Sequence, residues 1–314
     1  MSTALEILER EIQEALGTTV IGLKPVIRAL TMAVVARGHV LLQGPPGLGK
    51  TLLSKSLAKA LGGTFSRVQG TADLMPSDII GVHVFEAEKR EFEFRPGPLF
   101  ADILLVDEVN RASPKTQSAL LEAMEERQVS VERKTYALPA RFLVIATQNP
   151  GDFEGTYPLP ESQLDRFMFR IDMRYPERED ERAILTRYAA VQELSQPVPS
   201  AAGSHAVLEA ARACVDEVHM APELLGYILD LAQATRQHAH LALGLSTRGV
   251  LAVLRAARIS AALRGESFVA PDDVKEVLPM AISHRLVLAP EAMLEGVTTQ
   301  AIVQRLLEQV PVPR

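Results

Sequence analysis

Gly44-Pro45-Pro46-Gly47-Leu48-Gly49-Lys50-Thr51 fits G-x-x-x-x-G-K-[ST], the pattern of a phosphate-cradling loop. The spelling follows from the chemistry. An oligophosphate needs several backbone N–H groups aimed at it together, and glycine lets the chain approach closely and take positive φ. Lys50 can reach the β- and γ-phosphates, and the Thr51 hydroxyl can ligate Mg²⁺. Such a loop must follow a strand and open a helix, whose N-terminal dipole then also faces the anion. Both flanks comply. Gly38-His39-Val40-Leu41-Leu42 is a short apolar run, and Leu52, Leu53, Leu57, Ala58 and Leu61 recur at helical spacing before Gly62-Gly63. The bland alternative, a glycine-rich turn that happens to precede a lysine, does not account for both flanks.

Working outward, the 314 residues leave room for two domains. Hydrophobic residues at 47% and charged ones at 23% are the balance of a soluble globular chain. The net charge of −6 argues against bulk nucleic-acid binding, which shows a basic excess. Cys214 is the single cysteine, so an intrachain disulfide and a cysteine-rich zinc site are both excluded, which suits a reducing compartment. No apolar run reaches the ~18 residues of a spanning helix, and the opening Met1-Ser2-Thr3-Ala4-Leu5-Glu6 is not a signal peptide; a cytoplasmic protein is expected.

Two further runs read as buried parallel strands whose ends carry polar groups. Ile103-Leu104-Leu105-Val106 ends in Asp107-Glu108. Asp107 there can hold the hydration shell of Mg²⁺, and Glu108 can orient or deprotonate the water that attacks a γ-phosphate. Phe142 to Thr147 delivers Gln148 and Asn149 to the same edge, where an amide can polarise that water or bind phosphate; alone, Asn149 before Pro150 is equally a turn residue. Val20 and Ile21 could line a base pocket, or could be a connector packed on the core. Val82–Phe85 with Glu91–Phe94, and Val129–Val131 with Thr135–Ala137, read as hairpins. Pro114 to Arg127 reads as a helix capped by Ser113. Beyond a Pro-, Ser- and Gly-containing linker at 193–204, only helices are expected, at roughly 205–219, 222–240, 247–264, 271–286 and 297–309. The expected fold is α/β: a P-loop core with a central parallel sheet flanked by helices over 1–192, then an all-helical lid over 205–314.

The ordered set resembles an AAA+ ATPase, and more narrowly the MoxR family within the helix-2 insert clade. The stretches that carry the likeness are His39–Thr51, Asp73–Gly81, Phe94–Phe100, Asp107–Ala112, Glu122–Val129, Ala146–Pro150 and Leu159–Met168, with Gly244–Arg248 similar to the sensor 2 motif. Met75 stands where leucine is usual, and Ser246-Thr247 where Ser-Pro is common. The resemblance implies ATP/ADP and Mg²⁺ as ligands, Asn149 as sensor 1, Arg166 as an arginine finger acting in trans, and Arg248 on the γ-phosphate of its own or a neighbouring subunit. Without it, an ion pair of Arg166 with a carboxylate such as Asp165 would be the reading. Arg111 is a further interface candidate. A finger in trans implies a homo-oligomeric ring, expected to be hexameric. It would act on partner proteins, often ones with a von Willebrand factor A domain. The alternatives are a chelatase-type or rubisco- or nitric-oxide-reductase-activating motor subunit, and a nucleotide-gated interaction module without turnover.

Overall fold

Two amphipathic helices precede the phosphate loop. α1 (Ala4–Gly17) buries Leu5, Leu8, Ile12 and Leu16 along one stripe, and α2 (Lys24–Ala36), with Pro25 in its first turn, ends on Arg37 in left-handed conformation. β1 (His39–Gln43) runs through the glycine-rich loop into α3 (Lys50–Ala60), and β2 (Phe65–Gln69) follows. A single turn, α4 (Pro76–Ile80), leads to β3 (Gly81–Glu86) and β4 (Glu91–Pro96). β5 (Ile103–Asp107) is followed by α5 (Pro114–Glu126), where Ser113 Oγ accepts from Thr116 N at 3.4 Å. Next come β6 (Gln128–Val131), β7 (Lys134–Ala137), β8 (Leu143–Gln148), α6 (Glu161–Leu164), β9 (Phe167–Asp172) and α7 (Arg178–Ala190). The computed structural model describes residues 4–17, 20–132, 134–149, 151, 155–190 and 205–313, so the expected linker at 193–204 lies outside the described residues.

Among the described residues the central sheet has five strands in the order β2-β5-β8-β1-β9, and every neighbouring pair is parallel. Parallel strands covered on both faces read as continuous apolar runs, which is why β1, β5 and β8 do. Alternation still sorts their side chains. Val40, Leu42, Ile103 and Leu105 join a core built with α1, α2 and α3, whereas Leu41, Leu104, Val106 and Val144 pack under α5. Because the strands share direction and register, the residues just past β1, β5 and β8 gather at one edge of the sheet.

The two hairpins form as expected, and aromatic contacts join them. Phe94 of β4 stacks on Tyr136 of β7 with centroids 4.3 Å apart, and Phe100 meets Phe94 edge-on. At the far end of the first hairpin Phe85 and Phe92 pair with each other and stay exposed.

The C-terminal unit comprises α8 (His205–Asp216), α9 (Pro222–Arg236), β10 (Leu241–Leu243), α10 (Thr247–Leu263), α11 (Pro271–Ile282), β11 (Val287–Leu288), α12 (Pro290–Leu294) and α13 (Thr299–Gln309). Among the described residues it is helical apart from one antiparallel ribbon, Leu241 opposite Leu288 and Leu243 opposite Val287, and an isolated parallel bridge between His219 and Phe268. The helices expected to reach residues 240 and 286 stop at Arg236 and Ile282 for this reason: the chain leaves each helix to make the ribbon. Strands of two or three residues carry no period that could be read beforehand. α1 packs on α3 and on α8, so the apolar core continues from the sheet into the C-terminal helices.

Candidate functional site

The glycine-rich loop leaves β1 under tight constraint. A Cβ on Gly44 would lie 2.6 Å from the Met173 carbonyl oxygen, and Gly49 caps α3 at φ +74°, a conformation that costs other residues strain. Lys50, the first residue of α3, donates from Nζ to the Gly44 carbonyl at 2.6 Å, folding its side chain over the loop. Burial lowers the Lys50 pKa, and Asp107 and Glu108 pull it back up.

Asp107 and Glu108 face Lys50 across a cavity of about 500 Å³. Asp107 Oδ2 accepts from Arg67 Nε at 2.7 Å, and its Oδ1 accepts from Thr147 Oγ1 at 3.3 Å. Glu108 adopts left-handed backbone, φ +54°, and its N–H donates to the same Thr147 hydroxyl at 2.9 Å. A non-glycine residue in that region is strained, and such strain gathers at functional sites. The Glu108 carboxylate accepts from Gln69 Nε2 at 3.1 Å and lies 3.2 Å from Arg111 Nε. Thr51 and Asn149 line the same cavity. Gln148 is instead tied back to Gln43 through its side-chain oxygen at 3.0 Å, so of the two adjacent amides Asn149 is the one that borders the cavity.

Behind the loop lies a second, mostly apolar cavity of about 530 Å³, bordered by Val20, Ile21, Leu23, Leu48, Tyr175 and Leu185. Pro46, Gly47, Gly49 and Leu52 border both cavities, so Val20 and Ile21 stand one loop-width from the Lys50 groove. An apolar slot beside an anion cradle has the form of a nucleotide site.

Arg166 and Arg248 are not in that groove. They line a separate cavity of about 450 Å³, where Arg166 Nε lies 3.0 Å from Glu125 Oε2 and Arg248 donates to Glu125 Oε1. Asp165 does not pair with Arg166. It accepts from Ser246 Oγ at 2.9 and 3.0 Å and from Arg285 Nε at 2.7 Å. Arg285 is buried and also donates to the Phe167 carbonyl at 2.8 Å, so it clasps the segment that carries Arg166. Sequence reasoning passed over Arg67, Gln69, Thr147, Glu125 and Arg285. The first two had a signal: they alternate along β2, and Gln69 lies in register with Asp107.

A phosphate loop between β1 and α3, paired carboxylates at the end of β5, an amide at the end of β8 and a helical C-terminal unit together define an AAA+ ATPase. Residues 39–169 match the ATPase family associated with various cellular activities (AAA), and residues 233–306 match the AAA lid domain. The chain is 43% identical to the uncharacterized protein YeaC of Bacillus subtilis over 96% of its own length and 93% of that protein's. It is 39% identical to the chaperone MoxR1 of Mycobacterium tuberculosis, covering all of this chain and 84% of the relative. The crystal structure of a proposed ATPase from Cytophaga hutchinsonii superposes with a TM-score of 0.89 at 37% identity, over 99% of this chain and 97% of the other. The chain belongs to the MoxR family of AAA+ ATPases.

Proposed function

We propose that the chain hydrolyses ATP in a ring, each groove being completed by Arg166 of a neighbouring protomer, and uses that turnover to remodel partner proteins. The observation that carries this reading is the separation of the two sets of groups. Lys50, Thr51, Asp107, Glu108 and Asn149 share one cavity, whereas Arg166 and Arg248 border another. The guanidiniums beside the groove are already engaged, Arg67 by Asp107 and Arg111 by Glu108, so a second copy can supply a further one where charge develops.

The roles follow from chemistry. Lys50 exchanges the Gly44 carbonyl for phosphate oxygens. Glu108 takes a proton from the attacking water, and the Asn149 amide holds that water in line. Thr51 and Asp107 fit Mg²⁺: they offer hard oxygen donors, and no group of three or more His, Cys, Asp or Glu that could cage a metal occurs among the described residues. When bound, Mg²⁺ supplies positive charge to the β- and γ-phosphate oxygens. Val20 and Ile21 accept the adenine ring. Arginine fingers elsewhere contribute about 10³- to 10⁵-fold in rate, so an isolated protomer should turn over very slowly.

Remodelling is carried over from the relative named as a chaperone. A von Willebrand factor A domain protein is the partner class the family resemblance implies, and the exposed Phe85–Phe92 hairpin supports such a contact. Cytoplasmic placement belongs to the same reading; no described helix is long and apolar enough to cross a membrane.

The test mixes two variants. Glu108→Gln should bind ATP without turnover and Arg166→Ala should assemble yet turn over slowly, while rings mixed from both should recover part of the rate. Absence of recovery at every mixing ratio would remove Arg166 from the trans role.

A further inference from the structure

Glu125, near the C-terminal end of α5, is the one carboxylate that Arg166 of the core and Arg248 of α10 both hold. Two carboxylates stand between the core and the C-terminal helices here, in different surroundings. Asp165 takes the enclosed position: it meets the Arg285 guanidinium, whose side chain is 2% exposed, and the Ser246 hydroxyl that caps α10. That contact fixes the start of α10 against the core without help from Glu125. Glu125 takes the open position, with about a third of its side chain in water.

The charges around Glu125 do not balance. The cavity that it borders also carries Arg37, Arg127 and Arg255. With Asp165 engaged by Arg285 and Arg37 paired with Glu209 at 3.3 Å, Glu125 remains against the four guanidiniums of Arg127, Arg166, Arg248 and Arg255 there. Burial and the neighbouring Arg37 and Arg212 hold the Arg127 pKa below the ordinary arginine value, a sign of crowded positive charge. Such a cavity favours entry of a further anion.

We propose that Glu125 is the resting counter-ion of Arg166 and Arg248: it keeps the two guanidiniums together on one face of the protomer and yields them when the polyphosphate bound by an apposed copy of this chain enters the cavity. The exchange is favourable for simple reasons. Partly exposed ion pairs hold weakly, and a triphosphate terminus brings more charge and more acceptor oxygens than one carboxylate. The proposal rests on Arg166 acting in trans and adds the group that it must leave. Glu125 is thus a positioning residue that competes with substrate.

Steady-state turnover of the assembled protein against ATP concentration tests it. Glu125→Gln keeps the shape and removes the charge, so KM for ATP should fall about three- to tenfold with kcat at or above that of the parent. Glu125→Asp, which keeps the charge, should leave KM nearer the parent value than Glu125→Gln does. An unchanged KM, or a fall in kcat at constant KM, overturns the resting counter-ion. Arg166→Ala, assayed alongside, separates the two levels. If it keeps the parental kcat, the trans reading falls first; if it is slow while Glu125→Gln leaves KM in place, only the role of Glu125 falls.

Discussion

Asp165→Ala removes the single carboxylate that, among the described residues, pairs with the Arg285 guanidinium. In the parent, burial holds the Arg285 pKa below the ordinary arginine value; Asp165 offsets part of that by a hydrogen bond and by charge, and nearby Arg248 adds to the lowering. Arg285 also donates to the backbone oxygens of Asp165 and Phe167 at 3.1 and 2.8 Å, so it is anchored and cannot swing out to water when its partner is lost. Breaking a buried ion pair from one side costs about 3–5 kcal/mol, because a charge is left uncompensated. Asp165 is itself 19% exposed, and water reaching its vacated place moves the expected loss to the lower end, about 3 kcal/mol. Glu125→Gln is the control: its partners are open to water, and the loss there should stay under about 1 kcal/mol. Urea unfolding at fixed protein concentration and without nucleotide reads both, since nucleotide binding or assembly would shift the midpoints. If Asp165→Ala lost no more than Glu125→Gln, water would be replacing the carboxylate freely. The enclosed weld between the core and the C-terminal helices would then not exist.

Two further outcomes follow from the same geometry. His39 is wholly buried, with its ring accepting from Val144 N at 2.9 Å and its Nε2 3.1 Å from the Met124 carbonyl; burial lowers its pKa from 6.5 to about 3. The unfolded chain therefore takes up a proton that the folded chain refuses, and stability is lost as pH falls from 6.5 towards 3. His39 alone accounts for about 2 kcal/mol between pH 7 and pH 5. His284, buried against the Phe167 carbonyl, acts in the same direction. Equal urea midpoints at pH 7 and pH 5 would contradict this. Arg67→Met frees Asp107 from its 2.7 Å ion pair, and if Asp107 serves Mg²⁺, half-maximal ATPase should need severalfold less Mg²⁺. A Mg²⁺ titration that does not move would take Asp107 out of that role.

Much of this molecule was legible before folding was considered, because its main signals are local. A phosphate loop must be spelled Gly44 to Thr51 whatever surrounds it, and strands buried on both faces must read like Ile103–Val106. Direction and register then bring the residues that follow β1, β5 and β8 to one edge, so Lys50, Asp107, Glu108 and Asn149 converge without further information. What tertiary structure decided was pairing between residues distant in the chain. Arg166 next to Asp165 invites an ion pair, yet Asp165 turns to Arg285 and Arg166 to Glu125. Nothing in the spacing of 125, 165, 248 and 285 indicates those partners. Ion pairing depends on which helices meet, and that is settled by the apolar faces of α1, α10 and α11, whose packing carries the charges along. The ribbon of β10 and β11 was hidden for the same reason: two or three apolar residues become a strand only when a partner strand lies beside them.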